Sequence, residues 1–220
     1  MGTWCVRSCA AHMDTWAHDT FAAMLNMNAF DFKGRKALVR VDLNVPQDAS
    51  GKVTDDTRAR AILPTLNKIL GDGGCAVLMS HLGRPKGKGY EAEFSLKPVA
   101  EHLAKVLGQP VAFAADCLAA DAEVAALQPG QVLLLENTRF YKEEEAKVKK
   151  TDDISEEDYK AQKAALKEKQ KAMAKKLASY GDVFVNDAFG AAHRAHASTA
   201  VICKYIPVSV AGSLLEKEIR

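Results

Sequence analysis

The chain has 220 residues, 48% of them hydrophobic and 26% charged, with a formal net charge of +2. It is long enough to bury a full core, yet no stretch approaches the roughly 18 uninterrupted apolar residues of a membrane span, and residues 1–30 lack the basic start and apolar run of a secretory signal. The cysteines Cys5, Cys9, Cys75, Cys117 and Cys203 are odd in number with no C-x-x-C pair, which fits free thiols in a reducing compartment and not a disulfide or zinc framework.

Residues 1–28 hold both tryptophans, two cysteines and four of the six methionines, and read as an unstructured or targeting leader. Cys5, Cys9 and His12 have helical spacing, but without a fourth ligand they do not define a metal site. From Lys36 onward short apolar runs alternate with longer helical patterns. This is the rhythm of β-α-β units, and it predicts a three-layer, doubly wound, Rossmann-like α/β fold with a parallel sheet between helices. Strands are expected over residues 37–43, 75–80, 111–113, 132–136 and 183–186, all rich in Val and Leu. Ile62, Leu63, Leu66, Ile69 and Leu70 predict a helix kinked by Pro64 and stopped by Gly71, Gly73 and Gly74. The next helix is expected to open on Ser95 as N-cap, to bury Val99, Leu103, Val106 and Leu107, and to end at Gly108.

Residues 142–180 predict a charged helical insertion in which Tyr159, Leu166, Met173 and Tyr180 recur every seven residues. Such a seam suits a solvated helix, with a coiled coil as the competing use. Residues 142–176 alone take 11 of the 30 basic and 9 of the 28 acidic residues, leaving 19 of each elsewhere. A body so balanced is no nucleic-acid-coating surface, and any anion site in it must come from local placement of arginines. With no Gly/Ser/Pro-rich linker, residues 29–212 read as one domain.

In open parallel sheets ligands sit beyond the carboxyl ends of the strands. After the first strand comes VDLNVP (41–46) with Asp42 and Asn44, and after the second SHLGRPKG (80–87) with His81 and Arg84. After the fourth comes LENTRF (135–140) with Arg139; after the fifth, NDAFG (186–190) leads to His193, Arg194 and His196. With Arg58 near the start of the first helix, four arginines and three histidines converge on one rim. Guanidinium groups grip phosphate and carboxylate bidentately, so the composition suits a small, multiply charged anion. Each residue also has a plainer reading: Arg58 on the surface, Arg139 paired with Glu143 or Glu144, Asp42 capping backbone amides, the histidines packing. Their shared position favours a ligand site. Nucleotide motifs are absent. GRPKGKG (83–89) is one residue short of a Walker A loop and has Gly89 where Ser or Thr should bind magnesium, while GDGG (71–74) precedes a strand and lacks a third glycine.

The segments RVDLNVP (40–46), SHLGRPKG (80–87), LLLENTRFYKEEE (133–145), NDAFGAAHRAHAST (186–199) and LLEKEI (214–219) closely resemble phosphoglycerate kinase. The resemblance covers about residues 30–220 and matches that family's N-terminal domain, ending at the start of the helix that joins its two domains. It implies a phosphotransferase with a carboxyl acceptor, interconverting ATP and 3-phosphoglycerate with ADP and 1,3-bisphosphoglycerate. It further implies substrate contacts at Asp42, Leu43, Asn44, Arg58, His81, Leu82, Gly83, Arg84, Arg139 and Arg194, with Arg58 catalytic, His193 and His196 behind them, and Glu218 at the hinge. Mg-ATP or ADP would be held by a C-terminal domain that this chain does not include, so the chain alone is expected to bind 3-phosphoglycerate or 1,3-bisphosphoglycerate without turnover. A stand-alone, non-catalytic 3-phosphoglycerate-binding module is the alternative. The expected protein is a monomer without nucleic-acid or membrane partners, cytoplasmic by default, with a plastid or glycosome as the other compartments considered.

Overall fold

Seven parallel strands form one sheet in the computed structural model, which describes residues 25–150, 154–188, 190 and 194–219. In chain order the elements are β1 (Leu25–Asn26), β2 (Lys36–Val41), α1 (Thr57–Ala61), α2 (Leu63–Gly71), β3 (Cys75–Met79), α3 (Lys97–Leu107) and β4 (Val111–Ala114). Next come α4 (Asp121–Ala126), β5 (Val132–Leu135), α5 (Glu156–Ala178), β6 (Val183–Asp187), β7 (Ser209–Ala211) and α6 (Ser213–Ile219). The strands lie in the order β1-β7-β6-β2-β3-β5-β4. Of the leader read over residues 1–28, residues 1–24 with Cys5, Cys9 and His12 lie outside the described residues, as does His193, whereas Leu25–Asn26 join the sheet and Met27 is buried, so the folded body starts before residue 29.

Successive strand side chains point to opposite faces, and both faces are apolar. Ala37, Val39 and Val41 of β2 pack with Ile62, Leu66, Ile69, Val99 and Leu103 under α2 and α3. On the other face Leu38 packs with Leu133, Phe184, Met173, Ala174 and Leu177, beneath α5. This is the doubly wound, three-layer α/β architecture the alternating pattern predicts. From β2 the chain steps to β3 on one side, while β6 later pairs with β2 on the other. Connections diverge there, so the carboxyl ends of β2 and β6 flank the topological switch point.

Four local expectations change. The helix after β2 is two helices that part at Ile62, with Pro64 in the first turn of α2. Proline has no N–H to lose in a first turn, so it starts a helix there instead of kinking one. Leu96 is the residue before α3, yet Ser95 still supplies the cap, its Oγ accepting from Lys97 N at 3.2 Å while the hydroxyl donates to Glu136 Oε2 at 2.7 Å. The helix expected over 142–180 begins only at Glu156, where Ser155 Oγ accepts from Asp158 N at 3.0 Å as N-cap. It is no solvated insertion or coiled-coil arm, because Leu166, Gln170, Met173, Ala174 and Leu177 are buried against the body of the protein. Tyr180 lies past its end, with its hydroxyl accepting from Ala120 N at 3.0 Å. The short strands β1 and β7 have no counterpart among the expected strands. Among the described residues no helix is long and apolar enough to cross a membrane.

Candidate functional site

Beyond the ends of β2, β3 and β5 lies a cleft of about 720 Å3, lined by Asn44, His81, Gly83, Arg84, Arg139 and Arg194, with Lys86, Lys142, Lys147 and Lys149 extending its basic wall. The turns that build it are tied to one another by side chains. Leu43 N donates to Ser80 Oγ at 2.9 Å, and Gly83 N donates to Asn44 Oδ1 at 2.8 Å, joining the loops after β2 and β3. Asn137 Nδ2 donates to Leu82 O at 2.8 Å and Phe94 O at 2.9 Å, while its Oδ1 accepts from Arg139 N at 3.0 Å. Gly83 has φ +59°, and a Cβ there would stand 2.4 Å from the Phe94 ring, so only glycine turns this corner. Leu43 and Leu82 bury their side chains, so only their backbone can serve the cleft.

The arginines differ in how they are held. Arg139 NH1 donates to Gly83 O at 2.9 Å and its NH2 pairs with Glu145 at 3.0 Å, not with Glu143 or Glu144. Its Nε is buried without a partner among the described residues. Arg84 and Arg194 are exposed. Arg58, half exposed, pairs with Asp42 Oδ2 beside the cleft, and Asp42 Oδ1 accepts from Asn44 N at 3.2 Å. An exposed pair of this kind is worth about 0–1 kcal/mol, so an incoming anion can draw Arg58 away from Asp42. His196 is buried, with Nε2 at 4.0 Å from Glu145 Oε1. Glu218 is exposed on α6 and does not line the cleft.

Of the described histidines, His81 and His196 are held neutral by their surroundings. Burial, reinforced by Arg40, Arg139, His196 and Arg194, pushes His81 down to about 2. Burial also brings His196 down to about 4, against the opposing pull of Glu145. Burial lowers the Arg139 guanidinium as well, with Glu145 opposing, but arginine does not lose its proton in proteins. The positive charge of the cleft is therefore carried by arginine and lysine alone. No group of three or more His, Cys, Asp or Glu among the described residues could hold a metal ion.

Beneath the cleft is a polar network that sequence reasoning missed. Arg40 of β2 is fully buried, and its Nε donates to Ser198 Oγ at 2.9 Å. Its NH1 donates to Val41 O and, at 3.4 Å, to Met79 O, while NH2 lies 3.0 Å from His81 Nδ1. The Ser198 hydroxyl donates to Glu144 Oε1, and Ser198 N donates to Oε2 at 3.1 Å. Gln170 of α5 adds Nε2 bonds to Glu144 O at 3.2 Å and Ala195 O at 3.0 Å. The available signal was the arginine itself: a charge inside a strand buried on both faces must find a counter-charge. Farther along the edge, Asp187 Oδ1 at the end of β6 accepts from Leu214 N at 2.8 Å and Leu215 N at 3.3 Å, fastening α6.

Known proteins place the sequence and the fold in one family. The family model described as phosphoglycerate kinase matches residues 27–220. The phosphoglycerate kinase of Porphyromonas gingivalis is 53% identical over 201 residues, covering 89% of this chain and 48% of that protein. The cytosolic enzyme of Trypanosoma congolense is 46% identical over 209 residues, covering 88% of this chain and 45% of its own length. The solved phosphoglycerate kinase of Coxiella burnetii matches with a TM-score of 0.72 at 37% identity, covering 89% of this chain and 43% of that one. The one from Pyrococcus horikoshii matches at 0.71 and 32%, covering 89% and 44%. The chain thus spans less than half the length of these relatives. With its sheet order, its basic switch-point cleft and a family match over nearly all its described length, the chain belongs to the phosphoglycerate kinase family.

Proposed function

We propose that the cleft binds 3-phosphoglycerate and that the chain supplies the phosphoglycerate side of the reaction ATP + 3-phosphoglycerate ⇌ ADP + 1,3-bisphosphoglycerate. The observation that carries this reading is the gathering of Arg84, Arg139 and Arg194 around one cleft, with Arg58 on a weak, exchangeable partner beside it. A phosphate at one end and a carboxylate at the other match such a set of guanidinium groups. The acceptor carboxylate is already ionised at neutral pH, so attack needs no general base, in keeping with two histidines held neutral by burial. Arg84, Arg139 and Arg194 anchor the distant phosphate. Arg58, released from Asp42, stabilises charge on the transferring phosphoryl group. Asp42, an acceptor only, and Asn44 orient the substrate hydroxyl, with the Leu43, Leu82 and Gly83 backbone closing the turn around it. His193 and His196 support this shell, and Glu218 couples the cleft to the motion of a facing domain. The nucleotide and its magnesium would be bound on that second domain. The same reading makes the protein a cytosolic monomer, as the cytosolic relative supports for compartment.

Calorimetric titration tests this. The chain should bind 3-phosphoglycerate with a Kd of about 1 mM or tighter, lose that binding in the Arg58→Ala/Arg194→Ala variant, and give no binding heat with MgADP. Absence of 3-phosphoglycerate binding, or equal affinity for MgADP, overturns the proposal.

A further inference from the structure

Among the described residues that hydrogen-bond the buried guanidinium of Arg40, His81 alone lines the cleft. We infer that Arg40 is a positioning residue that fixes His81 in its Nε2–H tautomer, so that His81 offers the cleft a neutral hydrogen-bond donor. For the identity of the ligand, and for that alone, this rests on the function proposed above.

The tautomer follows from donor and acceptor counting. A guanidinium carries five N–H donors and no acceptor. Arg40 NH2 lies 3.0 Å from His81 Nδ1, a hydrogen-bond distance. Nδ1 must therefore accept, and the single proton of the neutral ring sits on Nε2. Arg40 cannot turn aside to accommodate the other tautomer. It is 0% exposed, Nε is taken by Ser198 Oγ, and NH1 is taken by Val41 O and Met79 O. Ser198 is in turn locked by two bonds to the Glu144 carboxylate. At the other end of the ring, no described residue bonds Nε2, and His81 lines the cleft wall.

The alternatives are each worse by an identifiable interaction. A proton on Nδ1 would set N–H against N–H at Arg40 and turn a lone pair toward an anion. A doubly protonated ring would add a cation among the groups that face His81, namely Arg40 from β2, Arg139 from the turn after β5, and Arg194 and His196 from the segment before residues 197–201. Three of these are cations and none is a carboxylate. His81 thus contributes a donor whose strength does not change with pH across the neutral range. That is a different service from the charge supplied by the arginines around it.

Nitrogen-15 histidine labelling of the whole chain, with long-range proton–nitrogen correlation from about pH 5 to about pH 8, reads the tautomer directly. His81 should show an unprotonated Nδ1 and a protonated Nε2 throughout. A proton on Nδ1, or titration of the ring inside that window, overturns the inference. In Arg40→Met, which removes every donor, the His81 signals should leave the pure Nε2–H pattern and 3-phosphoglycerate affinity should fall about tenfold or more, whereas Arg194→Ala should weaken binding and leave the pattern untouched. An unchanged pattern in Arg40→Met counts against it. Should Arg40→Met not fold, two cleft variants decide. His81→Gln places an amide nitrogen near Nε2 and should keep binding within about threefold, while the shorter His81→Asn should lose about tenfold; equal losses reject the role. Wild-type protein with Nε2–H but no 3-phosphoglycerate binding refutes the proposed function and upholds the tautomer, and binding with the proton on Nδ1 does the reverse.

Discussion

The floor of the cleft and its rim are both built around guanidinium groups, under opposite conditions. Arg40 on the floor is cut off from water and bonded to four partners, with the Glu144 carboxylate one hydroxyl away. Arg84 and Arg194 on the rim are exposed, and Arg58 leans on a single carboxylate. A buried charge costs several kcal/mol to desolvate unless it is fully paired, so removing a floor partner must be felt by the whole fold. A rim charge keeps its water, contributes little to stability and is available to a ligand. Arginines of one residue type thus divide into those that hold the cleft together and those that fill it with charge.

Glu144→Ala should break the floor most severely. It leaves Arg40 without its counter-charge and should cost about 3–5 kcal/mol of unfolding free energy in urea denaturation. A cost below about 1 kcal/mol would erase the distinction between floor and rim.

Acid probes the same region through its histidines. The folded pKa values of His81 and His196, about 2 and about 4, lie below the ordinary 6.5. The unfolded chain therefore binds protons that the folded one refuses. Stability from this source is complete above about pH 6.5 and falls as pH drops below it. At about pH 5 each ring should have cost roughly 2 kcal/mol, from about 1.4 kcal/mol per pH unit. Urea midpoints measured at about pH 7.5 and about pH 5 should show this loss, and His81→Gln should remove close to half of it.

Ser198→Ala deletes the hydroxyl between Arg40 and Glu144 while keeping both charges, and should cost about 1–2 kcal/mol. At the rim, Arg194→Ala should shift stability by no more than about 0.5 kcal/mol, yet abolish most 3-phosphoglycerate binding in calorimetry. A rim variant that unfolded the protein would show that Arg194 belongs to the floor.

The sheet was legible because its central strands are short runs rich in Val and Leu, a composition that burial on both faces explains, with Arg40 of β2 the charged exception. The strand β7, between β1 and β6, is three residues, Ser209–Ala211, and the edge strand β1 two, Leu25–Asn26, too short to show any period. The misjudged helix has a physical cause as well. Leu166 and Met173 of the seven-residue seam are buried, but the face beside them is Gln170, Ala174 and Ala178, small or polar residues that left the seam too narrow to pass for a core face. The placement of Asn44, His81, Arg84, Arg139 and Arg194 around one cleft could be foreseen from the turn segments at the carboxyl ends of the strands. The floor could not. Arg40 and Glu144 are far apart in sequence and meet only through Ser198, a partnership that exists in the folded chain alone.

The pairing of β2 has a consequence for the order in which the protein is made. On one side β2 meets β3, a near neighbour in the chain, but on the other it meets β6, with Ala37 opposite Val183. As the chain leaves the ribosome, β2 to β5 can assemble early, whereas β6 and Ser198 arrive late. Until then Arg40 lacks the Ser198 hydroxyl that joins it to Glu144. Closure of the sheet, completion of that bridge and delivery of Arg194 to the cleft all wait for the same late segment, so a chain whose Arg40 network is complete is one whose cleft is already assembled.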